Sequence, residues 1–391
     1  MTRRSDRIAS SLEQVGLDGV LSFLPENILF FSGYWPSTGD SVLVLSRKGT
    51  GALIYPSVDQ QFIPENWKGI TIPYDVDPID IVSGGPRTKV IQAVRAVLGE
   101  LGLSVGRLGC ELAFETLAGA FRGSEANTPA QPIFEAVREV VPRIQLSDYS
   151  TGIRDLRKIK NNEEVASLKR CNEIAGQAFG HAKKLIEPGM SEIGVASALE
   201  SAFQQAAVAH RKVSRARGYA FAMSGPVNST NAWLPANFST DRTLQNGDSV
   251  LIEFNGYVDG FWCDLSRTTI VGEPSQVLAR MTSGVLEALQ EVISRLEPGL
   301  PAGQADRLAR ASFRSYGLEQ HFKHYIGHGV GFAFHEPPIL RSDSAELLEP
   351  GMVLALEPGV YIDKVGGVRI EENVVITEEG AVLLSAFDRS T

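Results

Sequence analysis

Short apolar runs, opened by turn residues and closed by an acid, recur in the second half of the chain. Residues 352–356 (Met-Val-Leu-Ala-Leu) form one, flanked by Pro350-Gly351 and Pro358-Gly359 and ended by Glu357. It is too short for a helix and reads as a buried strand. Residues 368–376 read as a second strand, with Arg369, Glu371, Glu372 and Asn373 inside it. Asn246-Gly247-Asp248 opens a third, which ends at Glu253. Beyond it the pattern is strand, Gly-rich turn and returning strand, a hairpin whose return carries Asp264. Helical spacing runs from about residue 163 to 185, and Asn162, in the charged stretch 155–164, is its expected N-cap. Towards the amino terminus, residues 6–15 and 88–101 have helical spacing, while 19–23, 42–45, 51–55 and 107–110 read as strands. These predict two domains, an α/β unit over residues 1–150 and a second unit over 151–391, joined near 147–159.

The second unit repeats itself. Leu185-Ile186-Glu187-Pro188-Gly189 precedes the strand that ends at Glu253, and Arg295-Leu296-Glu297-Pro298-Gly299 precedes the one that ends at Glu357. Two halves of similar length, each ending in an acid-bearing strand, predict an internal duplication. A pseudo-twofold would then bring both sets of acids to one centre.

Composition narrows the function. A hydrophobic share of 43% with 21% charged residues suits a globular enzyme, and no apolar run is long enough to cross a bilayer. A net charge of −9 argues against a nucleic-acid partner. The basic start, Met1 to Asp6, is followed by no apolar stretch, and Cys110, Cys171 and Cys263 are odd in number and widely spaced. Reduced thiols in the cytoplasm are therefore expected, with Cys263 pointing into the core, away from Asp264.

Glu253, Asp264, Glu357 and Glu371, if gathered, would repel one another unless a cation sat among them. Oxygen ligands with one imidazole suit divalent Mn, Fe, Co or Zn. His328 is the expected imidazole; Gly327 and Gly329 on either side make a mid-helix position unfavourable for it and let the backbone approach a ligand. The remaining histidines read as ordinary: His181 at a surface or between helices, His321 exposed, and His210 on a solvated basic face with Arg211, Lys212, Arg215 and Arg217.

The strings G-H-G-V-G-F-A-F-H-E-P-P (327–338), A-L-E-P-G-V-Y (355–361) and G-V-R-I-E (367–371) resemble the pita-bread metallohydrolases, and the resemblance extends over nearly the whole chain. That family includes methionine aminopeptidase, Xaa-Pro aminopeptidase, prolidase and the metal-free creatinase. The resemblance implies an α+β fold: a carboxy-terminal pita-bread domain with pseudo-twofold duplicated halves, preceded by a smaller α/β domain of the creatinase/prolidase type. It implies two divalent ions (Mn, Co, Zn or Fe), bridged by Asp264 and Glu371, with Glu253 on one and His328 with Glu357 on the other. Glu357 would also move the proton, His335 would donate to the developing oxyanion, His324 would line the pocket, and Arg369 would hold a carboxylate. It implies a homodimer acting on a small peptide. Two departures stand out: Glu253 replaces the usual Asp, and the loop 224–235 lacks the histidine expected there, leaving its place to Trp233 or Asn231. The alternative these suggest is a creatinase-like hydrolase or lyase of a small non-peptide amide or amidine; a peptide-binding module without catalysis is a third.

Overall fold

The computed structural model describes residues 4–36, 40–75, 85–113, 131–210, 213–234, 238–385 and 387–389. The chain separates into two units, Met1–Arg157 and Lys158–Thr391.

In the first unit the order is α1 (Arg4–Gln14), β1 (Gly19–Ser22), α2 (Pro25–Ser32), β2 (Val42–Ser46), β3 (Gly51–Pro56), β4 (Ile70–Tyr74), α3 (Gly85–Glu100), β5 (Arg107–Cys110), α4 (Gln131–Val140), β6 (Gln145–Asp148) and α5 (Ser150–Arg157). The strands form one sheet in the order β4-β3-β2-β1-β5-β6. Its central strands β1, β2 and β3 are buried throughout, as expected of near-continuous apolar runs covered by helices. Helix α2 falls where the sequence suggested only a path to Gly33. The buried Glu111 anchors it, accepting from Asn27 Nδ2 at 3.0 Å and, just before the helix, from the amide of Phe23 at 3.4 Å.

The second unit opens with α6 (Asn162–Lys183), α7 (Glu192–Ala209), β7 (Ala216–Ser224), the short α8 (Gly225–Asn228), β8 (Ser249–Val258) and β9 (Phe261–Ile270). It then repeats helix, helix, strands: α9 (Gln276–Arg295), α10 (Gly303–Ser315), β10 (Gly327–Gly329), β11 (Glu336–Ile339), β12 (Val353–Leu356), β13 (Gly359–Ile362), β14 (Gly366–Arg369), β15 (Glu372–Thr377) and β16 (Gly380–Leu383). The N-cap of α6 is Asn161 and not the expected Asn162. Asn161 Oδ1 accepts from the Glu164 amide at 2.9 Å, and Glu164 Oε2 accepts from the Asn161 amide at 2.8 Å. This reciprocal box needs an acid three residues after the cap, a spacing only the first of the two asparagines has.

The duplication is visible bond by bond. The amide of Gly189 donates to Leu244 O and that of Gly299 to Leu348 O, while Gly247 donates to Val271 O and Gly351 to Ile376 O. All four glycines have positive φ, which the turn requires and other residues resist. Each half packs its helix pair on one face of its strands: Ile174, Leu199, Phe203, Ile252, Phe254, Cys263 and Leu265 in one core, and Met281, Val285, Phe313, Leu354, Leu356, Val374 and Ile376 in the other. The pattern fixes the opposite face, because side chains alternate along a strand. With Ile252 and Phe254 turned to the helices, Glu253 faces away; with Cys263 and Leu265 inward, Asp264 and Ser266 face away. The stretch 368–376 is two strands and not one. β14 pairs with β13, β15 pairs with β12, and the chain breaks at Ile370-Glu371 between them.

Candidate metal centre

The two acidic faces meet along β9. The Glu371 amide donates to Ser266 O at 3.0 Å, Thr268 Oγ1 to Arg369 O at 2.9 Å, and Asn373 Nδ2 to Asp264 O at 2.7 Å. Glu253, Asp264 and Glu371 each present a carboxylate oxygen within 4.8 Å of the others, and Asp264, His328 and His335 form a second such group. His328 Nε2 lies 3.6 Å from Asp264 Oδ2 and 3.8 Å from Glu357 Oε1. Its Nδ1 faces Gly329 O at 2.9 Å; with the proton there, the Nε2 lone pair is left pointing at the acids. All five predicted ligands thus meet at one place.

Charge is distributed unevenly among them. Burial raises Glu253, but Arg369 and the hydrogen bonds to its carboxylate outweigh this and hold it below the usual range. Burial, then Glu371 and Glu253, push Asp264 well above its ordinary value; burial, then Glu253 and Glu357, do the same to Glu371. Burial pushes Glu357 up to about 7. Ser266 Oγ sits between Glu253 Oε2 at 2.6 Å and Glu371 Oε2 at 2.8 Å, and has one proton for the two. Glu371 Oε1, on a side chain buried to 1% exposure, has no hydrogen-bond partner among the described residues. A buried carboxylate oxygen without a donor, among acids whose pKa burial and mutual repulsion push up, is what a cation would satisfy, so the residues fit a divalent metal.

Arg369 organises one wall. Its Nη2 bonds Glu253 Oε2, Nε donates to Ser266 Oγ at 2.8 Å, and Nη1 donates to Tyr361 Oη at 2.9 Å and Ala232 O at 3.2 Å. The carboxylate it holds is Glu253. Arg369 and Glu371, expected within one strand, belong to separate pairings on either side of the break at Ile370. His324 continues the chain of bonds: Nδ1 faces Tyr325 O at 2.8 Å, and Nε2 lies 3.0 Å from Tyr361 Oη. Burial, then Arg369, depress it to about 3, so it is neutral, and both ring nitrogens have internal partners. His335, in the turn before β11, lies against His328 with ring centroids 3.8 Å apart and the rings tilted; its Nδ1 is buried and has no partner among the described residues. Burial, then His328, keep it neutral.

Trp233 is half-buried; the backbone oxygen of its neighbour Ala232 accepts from Arg369, whereas Asn231 turns to Val227 O at 3.0 Å. His181 is exposed, and His210 closes α7; Arg211 and Lys212 lie outside the described residues. His321 is half-buried, against the expected exposure, with burial lowering its pKa. Cys263 is in the core as expected. Ser266, Tyr361, Asn255 and Asn373 were missed as site residues. Alternation from Asp264 would have found Ser266, and Tyr361 stood at the end of one of the telling strings; the asparagines, which bond the Asp264 side chain and backbone, left no signal.

Residues 166–378 match the model of metallopeptidase family M24, and residues 4–159 match that of the creatinase/prolidase N-terminal domain. The chain belongs to metallopeptidase family M24. It is 30% identical over 375 residues to the uncharacterized peptidase YqhT of Bacillus subtilis (strain 168), covering 96% of this chain and 95% of that one. It is 28% identical over 389 residues to the Xaa-Pro dipeptidase of Pyrococcus furiosus, covering 100% of this chain and 99% of the other. Among solved structures, the Xaa-Pro dipeptidase from Bacillus anthracis superposes with a TM-score of 0.79 at 27% identity, covering 99% of this chain and 98% of that chain. As an M24 member the chain is a metal-dependent hydrolase of peptide bonds, with the pita-bread fold in its carboxy-terminal unit.

Proposed function

We propose that this chain is an exopeptidase of small prolyl peptides, of the Xaa-Pro dipeptidase or Xaa-Pro aminopeptidase kind, with residues 1–150 and 151–391 as its domains. The observation that carries the reading is the meeting of Glu253, Asp264, His328, Glu357 and Glu371 at one place, with Glu371 Oε1 lacking a hydrogen-bond partner among the described residues. The relatives named Xaa-Pro dipeptidase, matched end to end, favour peptides over a creatinase-like substrate.

In this reading Asp264, Glu371, Glu253, His328 and Glu357 would together hold two divalent ions (Mn, Co, Zn or Fe). When bound, the metal lowers the pKa of a water and polarises the scissile carbonyl. Glu357, brought by burial to about 7, is suited to take a proton from water and return it to the leaving nitrogen. Neutral His335 has an N–H to offer the developing oxyanion. Arg369 keeps Glu253 ionised, and Tyr361 and His324 hold Arg369 in place; His324 is thereby a positioning residue. We expect a homodimer in the cytoplasm.

The test is hydrolysis of Xaa-Pro dipeptides and longer prolyl peptides by chelator-treated protein with and without added Mn or Co. Metal-dependent release of the residue before proline, or of proline itself, supports the reading. Turnover of none of them overturns it.

A further inference from the structure

We propose that Lys160 is a positioning residue of the centre: through its buried ion pair with Glu336 it sets the imidazole of His335 against His328 and the acids. This rests on the peptidase reading for what His335 does there, and on geometry alone for how His335 is held.

His335 is placed by its chain and not by its ring. Its Nδ1 has no partner among the described residues, and its ring meets those of His328, at 3.8 Å between centroids, and Phe334, at 4.4 Å. Such packing confines a ring without aiming its N–H, which needs a directed bond. The ladder of β11 does not aim it either, because its register jumps: His328 pairs with Ile339, yet Gly329 pairs with Glu336. A slip of one residue would turn the side chains to the other face, so at this irregularity something besides the ladder must fix the face that His335 takes.

Lys160 supplies that constraint. Its side chain and that of Glu336 are both buried, and its Nζ donates to Glu336 Oε2 at 2.8 Å and to Lys158 O at 3.3 Å. The lysine is itself anchored by its backbone: its amide donates to Gly351 O at 2.9 Å, and Ile159 beside it bridges to Met352, just before β12. Gly331, at the head of the turn that carries His335, lies so close to the lysine stem that a Cβ there would run into Lys160 Cε. Glu336 is the far end of the same turn. One side chain thus holds the turn at both ends, and with Glu336 drawn to it the neighbouring His335 is turned the other way, onto His328. Stability does not account for the pair, since a buried ion pair adds little over apolar residues of the same volume. Direction does, because neither charge can move without leaving the other unpaired in the interior.

The experiment measures kcat, KM and Mn affinity for wild type, Lys160→Met, His335→Ala and the double variant, on an Xaa-Pro dipeptide. Lys160→Met is expected to lower kcat about tenfold with KM and Mn affinity held within about twofold, and to lower it no further in the His335→Ala background. Where Lys160→Met does not fold, Lys160→Met with Glu336→Gln, which leaves no lone charge, takes its place. Proton–nitrogen correlation spectra of the imidazoles in histidine-labelled, metal-free protein need no turnover. The His335 signals, identified by their loss in His335→Ala, should shift in the lysine variant, while those of His181, exposed on α6, stay. An unchanged kcat, unmoved His335 signals, or losses that multiply in the double variant, as a general loosening of the fold would make them, overturn the assignment and leave the peptidase reading standing. If wild type cleaves no prolyl peptide, that reading falls, and the spectra alone decide whether Lys160 sets His335.

Discussion

Glu357 joins two properties seldom found together: a burial-raised carboxyl near 7 and a place 3.8 Å from the imidazole that faces the acids. Glu357→Gln keeps the volume and removes the titratable carboxyl, so kcat should drop by about a hundredfold or more while the far-UV circular dichroism stays native. The neighbouring acids make a second expectation, for protein stripped of metal. Asp264 and Glu371 are raised in the fold well above their unfolded values of about 4, so from there upward, until they ionise, the native state binds more protons than the unfolded one. Stability must then fall as pH rises through that window. The depressed histidines act with the opposite sign, but only below their ordinary value near 6.5, where the unfolded state gains protons. Thermal melts of the stripped protein should move down from pH 7 to 9, and saturating metal should remove the trend. A melt temperature that rises over that range would contradict the assignment of protons.

Close approach of backbones explains where glycine is obligatory in these strands. At Gly327, φ is +155° and an added Cβ would lie 1.9 Å from Ala355 O on the paired strand β12. Gly327→Ala should cost at least about 2 kcal/mol in denaturant unfolding. Gly180, in α6 with nothing within 4 Å of the same added atom, is the contrast: Gly180→Ala should gain about 0.5–1 kcal/mol. Element positions were largely legible, because apolar runs with fixed period mark strands and helices directly; 107–110 was read to the residue as β5. What escaped depended on partners far along the chain. Helix α2 is stabilised by Glu111, the break at Ile370 by β13 and β12 claiming its two flanks, and the grip of Arg369 on Glu253 by the meeting of two halves. Of the centre, the acids and His328 stood out through their place beside glycine turns, whereas Ser266 and Asn255 differ from ordinary strand residues only once their neighbours are known.

The two halves of the second unit are joined by the bonds that build the centre, so metal binding and the cohesion of those halves are one property. Added metal should slow amide exchange in β8, β9, β10, β12 and β15. Helices α6 and α9, which pack on the outer faces, should change less. Among the described residues no helix is long and apolar enough to cross a membrane. The most direct test is calorimetric titration of Mn into chelator-treated protein, in two buffers of different ionisation enthalpy, beside Glu371→Gln. We predict up to two ions per chain, protons released on binding because the raised acids must ionise, and much weaker uptake by the variant. Binding without proton release, unaltered in Glu371→Gln, or no binding, would contradict a cation held among these acids.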